Sequence, residues 1–192
     1  DEIAAVRAWV GRGGSLLLIA DHMPFPGAAG ELAAAFGVKF SNGYARSGRD
    51  GPGPGDVFDR QSGLGDGAVT RGRPGDEPVT EVMTFTGSAF TAPREATPVL
   101  VFGAQAVSLE TTRAPGVTDG APEVPIAGWC QGAVMKVGRG RLAVFGEAAM
   151  FSAQLAGPQQ VPIGMNSPAA PQNHRLLLHV MHWLSRAQGM PD

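Results

Sequence analysis

A chain of 192 residues, 43% hydrophobic and 17% charged, is long enough for one domain with a sizeable core. A net charge of −2 without any Lys/Arg cluster removes the electrostatic basis for nucleic-acid binding. The apolar runs are too short to span a bilayer, and a single cysteine excludes both an internal disulfide and a cysteine-rich zinc site.

The chain opens directly on a helix over residues 1–12, with Ile3, Val6, Trp9 and Val10 on one face and Gly13-Gly14 as its stop. An α/β domain places a strand ahead of such a helix, so the pattern predicts a missing N-terminal strand. The apolar run Ser15–Ala20 reads as a strand that ends at Asp21-His22. A proline loop over residues 23–27, a helix over 28–36, a short strand over 38–40 and an Asn42-Gly43 turn follow. From Arg46 to Pro78 glycine and proline are mixed with charges and no apolar period is visible, which predicts a long irregular loop. Strands are expected over 79–86 and 98–102, then a second Pro/Gly-rich loop over 113–125.

Residues 126–137 and 141–145, separated by Gly138-Arg139-Gly140, predict a β-hairpin. Its second strand runs into Glu147 and a helix over 148–155. A further irregular loop precedes a last helix over 172–187, with Leu176, Leu177, Val180, Met181 and Leu184 as its buried stripe. No repeat or linker divides the chain, so residues 1–192 read as one domain. Continuous apolar runs are the mark of strands buried on both faces, which predicts an α/β fold with a mostly parallel sheet.

Ligands of open α/β sheets bind beyond the carboxyl ends of the strands. Asp21, His22 and Glu147 occupy such ends and are the candidate catalytic residues, with His174 in the first turn of the last helix. Asp21 and Glu147 are also candidate ligands of a divalent cation, which would lower the pKa of a bound water and supply a nucleophile. Ser152, Gln154 and Asn173 are candidate ligand-binding residues. Each has a structural alternative: Asp21 as a turn cap, His22 packed on the proline loop, Glu147 placed by a helix dipole, Asn173 as a helix cap. Gly128-Trp129-Cys130-Gln131-Gly132 spells a nucleophile elbow, but no helix follows it, so Cys130 reads as a buried hydrophobe. His179 and His182 read as packing or surface residues. No nucleotide cofactor is indicated.

The segments Val6–Ala45 (with Gly13 through His22) and Gly138–Glu147, and the helix at Asn173–Leu184, resemble the class I glutamine amidotransferase-like superfamily, in an uncharacterised bacterial branch. The resemblance implies a flavodoxin-like three-layer sandwich. It does not carry glutaminase activity, because no Cys-His-Glu triad is present. Two main functions are therefore expected: a hydrolase of a small ester, lactone, amide or sugar-derived substrate, or a non-catalytic domain binding a carbohydrate, peptide or partner protein. The partner in the second case includes the missing N-terminal segment or another chain. A third reading is a structural module of a larger exported protein.

Overall fold

The computed structural model describes residues 1–48, 55–113 and 118–191. Helix α1 (Glu2–Gly11) begins where the Asp1 carboxylate accepts the Ile3 N–H, and stops before Gly13, whose φ of +121° no L side chain adopts readily. Strand β1 (Ser15–Ile19) leads to helix α2 (Phe25–Ala34), which starts inside the proline loop because Pro26 suits a first helical turn. Then come β2 (Lys39–Phe40), β3 (Tyr44–Arg46), β4 (Asp56–Asp59), the one-turn helix α3 (Ala68–Arg71) and β5 (Glu81–Thr84). The chain continues through β6 (Phe90–Thr91), β7 (Thr97–Val101), β8 (Val107–Leu109), β9 (Glu123–Pro125), β10 (Cys130–Val137) and β11 (Gly140–Phe145). A 3-10 turn at Ala149–Phe151, β12 (Ala153–Ala156), β13 (Val161–Gly164) and helix α4 (Asn173–Leu184) complete the described elements.

The main sheet runs in the order β1-β11-β10-β6-β2, with β7 also paired to β10. Among the described strands only β1 and β11 pair in parallel; the β10–β11, β10–β7, β10–β6 and β2–β6 pairings are antiparallel. Three small antiparallel sheets, β3-β8-β9, β4-β5 and β12-β13, surround it. The expected α/β sandwich, with a mostly parallel, flavodoxin-like sheet in three layers, is therefore corrected to a mixed, mostly antiparallel architecture. The physical reason lies in the signal itself. An unbroken apolar run reports that both faces of a strand are covered and says nothing about strand direction. The expected β-hairpin is present: the short Gly138-Arg139 connection, with Gly138 at φ +58°, joins antiparallel β10 and β11, both buried along most of their length.

Both faces of β11 are indeed covered. Leu142 and Val144 join Val10, Leu18, Ala33, Phe36 and Met135 beneath α1 and α2. Ala143 and Phe145 join Leu176, Val180 and Trp183 of α4 on the opposite side, together with Phe58, Leu64, Val69 and Val79. Trp129 packs against this second cluster, whereas Trp9 on α1 is 47% exposed. Arg141 is buried with its guanidinium 4.9 Å from the centre of the Trp183 ring and donates to the Trp183 carbonyl.

The segment expected to be an irregular loop over 46–78 carries β4 and α3 among its described residues and contributes core side chains; residues 49–54 lie outside the described residues. Gly63 and Gly65 are packing positions. A Cβ on Gly63 would sit 2.0 Å from the Val101 carbonyl oxygen and one on Gly65 2.3 Å from that of Pro98. Freed of side chains, this stretch exchanges backbone hydrogen bonds with β7, Val101 N–H to Gly63 and Gly65 N–H to Val99. The helix expected over 148–155 is also absent: the chain makes one 3-10 turn and enters β12. On α4 the buried positions are Asn173, Leu176, His179, Val180, Trp183 and Leu184, while Met181 is 48% exposed.

Helix α1 meets the β10–β11 hairpin at Gly140, where an added Cβ would lie 1.9 Å from the Val10 carbonyl oxygen and 2.4 Å from that of Gly14. Both neighbours are backbone and cannot rotate away. Gly140→Ala is expected to cost about 2 kcal/mol or more of folding stability, read as a lowered midpoint in urea unfolding.

Candidate functional site

Asp21 and Glu147 follow the two parallel neighbours β1 and β11, and so come together at one edge of the main sheet. Their charges interact, the Asp21 carboxylate helping to raise the pKa of Glu147. The water-filled hollow expected beyond these strand ends is occupied by the chain itself. Segment 85–88 crosses the edge: Ser88 N–H donates to the Gly146 carbonyl at 2.7 Å, and Gln131 Nε2 donates to the Thr86 carbonyl at 3.0 Å. Gly87, at φ +108°, lies so close that a Cβ there would be 2.8 Å from the Glu147 side chain. Glu147 is 0% exposed as a result.

The Glu147 carboxyl group is fully engaged. Ala149 N–H donates to one oxygen at 2.8 Å and Met150 N–H to the other at 2.6 Å, and Phe85 contributes a further backbone hydrogen bond. Burial is nevertheless the larger influence and, with Asp21 nearby, pushes its pKa up to about 8. Asp21 is half-buried. One of its oxygens accepts the His22 N–H at 2.8 Å and the Thr86 hydroxyl at 3.5 Å.

His22 turns away from this pair. Its ring stacks on Tyr44 at 4.6 Å between centroids, meets Phe25 edge-on at 5.9 Å, and places Nδ1 2.9 Å from the Met23 carbonyl. His174 is exposed on the first turn of α4, and no hydrogen bond ties it to Glu147. Asn173 is 0% exposed: its Oδ1 accepts from Met83 N–H at 3.0 Å, and its Nδ2 donates to the carbonyls of Met83 at 2.7 Å and Met150 at 3.3 Å. Ser152 Oγ donates to the Ala149 carbonyl at 2.9 Å, and the exposed Gln154 donates to Ser152 Oγ. Glu147, Asn173 and Ser152 thus converge, but on the 3-10 turn at Ala149–Phe151, which they grip from three directions.

Among the described residues no group of three or more His, Cys, Asp or Glu side chains is placed to hold a metal ion. Backbone donors already occupy both oxygens of Glu147, and among the described residues Asp21 is the carboxylate whose charge acts on it. Cys130 is buried in β10, where desolvation pushes its thiol up to about 11, far from a thiolate at neutral pH. His179 is buried with Nδ1 3.2 Å from the Val69 carbonyl. Sequence reasoning missed Thr86 and Gln131, the polar residues that close over the strand ends. Thr86 belongs to no motif and Gln131 reads only as a neighbour of Cys130; the fold brings Gln131 to the Thr86 carbonyl and Thr86 to Asp21. It also missed β12 and β13, for which a signal exists: no Asp, Glu, Lys or Arg occurs from Ala148 to His174.

Unfolded, the Glu147 carboxyl ionises near its ordinary 4.5, whereas folded it does so near 8. Across that window the native chain holds a proton that the unfolded chain has released, so the contribution of this group to stability falls as pH rises from about 5 to about 8. Glu147→Gln is expected to flatten this decline, by an amount on the order of a few kcal/mol, in unfolding measurements at stepped pH. Asn173→Ala strands three buried backbone groups and is expected to cost about 3 kcal/mol, whereas His174→Ala changes stability by less than about 0.5 kcal/mol in the same measurement.

No family model and no curated protein matches the chain. Among solved structures it is similar to the mmIFT52 N-terminal domain, with a TM-score of 0.65 and 16% sequence identity over 97% of this chain and 72% of that one. At that identity the likeness is one of fold. With the mixed, mostly antiparallel sheet it replaces the expected membership of the glutamine amidotransferase-like superfamily, and with it the flavodoxin-like description. No helix among the described residues is long and apolar enough to cross a membrane.

Proposed function

We propose that this chain is a non-catalytic domain that binds a protein partner. The observation that carries the reading is the commitment of Glu147. The carboxylate that a hydrolase would use as base or cation ligand is buried, held by backbone donors and covered by the chain's own segment 85–88. Of the neighbouring candidates, Asp21 has one oxygen on the His22 N–H and His22 stands in an aromatic stack. The fold is one that serves elsewhere as the N-terminal domain of mmIFT52. Large apolar side chains stand at the surface: Phe25, Leu155, Val161, Leu178 and Met181 are each close to half exposed.

Two measurements test this. Nitrophenyl esters, lactones and amides, assayed with and without magnesium, manganese, calcium or zinc, are expected to show no turnover above buffer. Turnover that disappears in Asp21→Asn overturns the proposal in favour of a hydrolase. Cross-linking of the chain in its native extract is expected to recover one protein repeatedly and in stoichiometric yield, and a chain that cross-links to nothing counts against a partner.

A further inference from the structure

The geometry points to the outer edge of β12 as a docking strand for an extended, uncharged segment of a partner protein. This rests on the partner-binding reading above and assigns it a place. Strands β12 and β13 form a sheet of their own, with no third strand among the described residues. Their register pairs Ala153 with Gly164, Gln154 with Ile163, Leu155 with Pro162 and Ala156 with Val161. Just beyond, Met165 N–H donates to the Ser152 carbonyl at 2.6 Å. Antiparallel pairs alternate between hydrogen-bonded and non-bonded, so this bond fixes the phase. Gln154 and Ala156 face β13. Ala153 and Leu155 direct their N–H and C=O groups outward, where no described hydrogen bond takes them up.

The two edges of the hairpin are not equivalent. The outward positions of β13 are Pro162, which has no N–H to offer, and Gly164, which is at φ +80° and packed on the Ser152 and Ala149 carbonyls. That edge is blocked in the way natural sheets block strand addition. The β12 edge has neither proline nor glycine and no charge. The whole stretch from Ala148 to His174 lacks Asp, Glu, Lys and Arg, the side chains that ordinarily guard an open edge. Leu155 is 55% exposed and Val161 49%, on opposite faces of the hairpin.

These features define the occupant. Free backbone donors and acceptors at strand spacing are satisfied by an extended backbone, which is recognition by strand addition. An occupant carrying charge would surrender hydration with no counter-charge on the hairpin to replace it, so its chemistry is uncharged.

The test selects binders from a displayed library of random twelve-residue peptides on the full chain, then follows amide hydrogen exchange residue by residue with the selected peptide. Expected are uncharged, β-branched peptides that slow exchange of the Ala153 and Leu155 amides at least tenfold, both amides being unprotected in the free chain. Leu155→Pro, which deletes an outward donor, is expected to weaken binding at least tenfold, and Leu155→Lys provides the same test with every backbone donor intact. Peptides that protect amides elsewhere overturn the edge while leaving the partner-binding reading standing. A library that yields no binder also overturns it, and the ester and cross-linking assays then judge the reading separately. Protection of Ala153 and Leu155 in the free chain, with a dimer in solution, overturns it in favour of a second copy.

Discussion

The way one carboxyl group is buried governs the far end of the main sheet. Glu147 leaves β11 and immediately folds back on the two N–H groups of the turn that follows, so the chain cannot extend the strand and cannot start a full helix. Asn173 ties the same turn to α4 and to the Met83 backbone of β5. Through these two polar side chains the sheet, the β4–β5 ribbon and the last helix are fixed to one another at a place where apolar packing alone would leave backbone groups unpaired. The cost is a carboxyl group in a dry setting, and the elevated pKa of Glu147 is its measurable sign.

Much of the chain order was legible. Ser15–Ala20, Gly138–Phe145 and the closing helix all lie where periodicity and glycine punctuation put them, because those signals are local. Strand direction and pairing are not local. The β10–β11 hairpin could be read from its glycine turn, but the antiparallel pairings of β10 with β6 and β7, and of β2 with β6, could not. The glycines at 63 and 65 read as loop because composition registers the absence of side chains and not the backbone packing that the absence permits. The amphipathic stripe on α4 was half right for a related reason: Asn173 and His179 are polar yet buried, each bonded to backbone of another element.

The candidate site divides along the same line. That Asp21 and Glu147 lie side by side follows from two strands ending together. What they face could not be read, since segment 85–88 is more than fifty residues upstream of Glu147 and carries no motif. A polar residue at a strand end is equally suited to hold a ligand or to hold the chain. Here Glu147, Ser152 and Asn173 hold the chain. The converse signal, a long uncharged stretch, is an absence of residues and is easily passed over.

The separation of apolar side chains to either side of β11 has a spectroscopic corollary. Trp183 and Trp129 both belong to the cluster against α4, while Trp9 rests on the surface of α1. Intrinsic fluorescence is therefore an uneven witness: two indoles report the α4 side, and loosening of the α1–α2 side reaches emission through the half-exposed Trp9 alone.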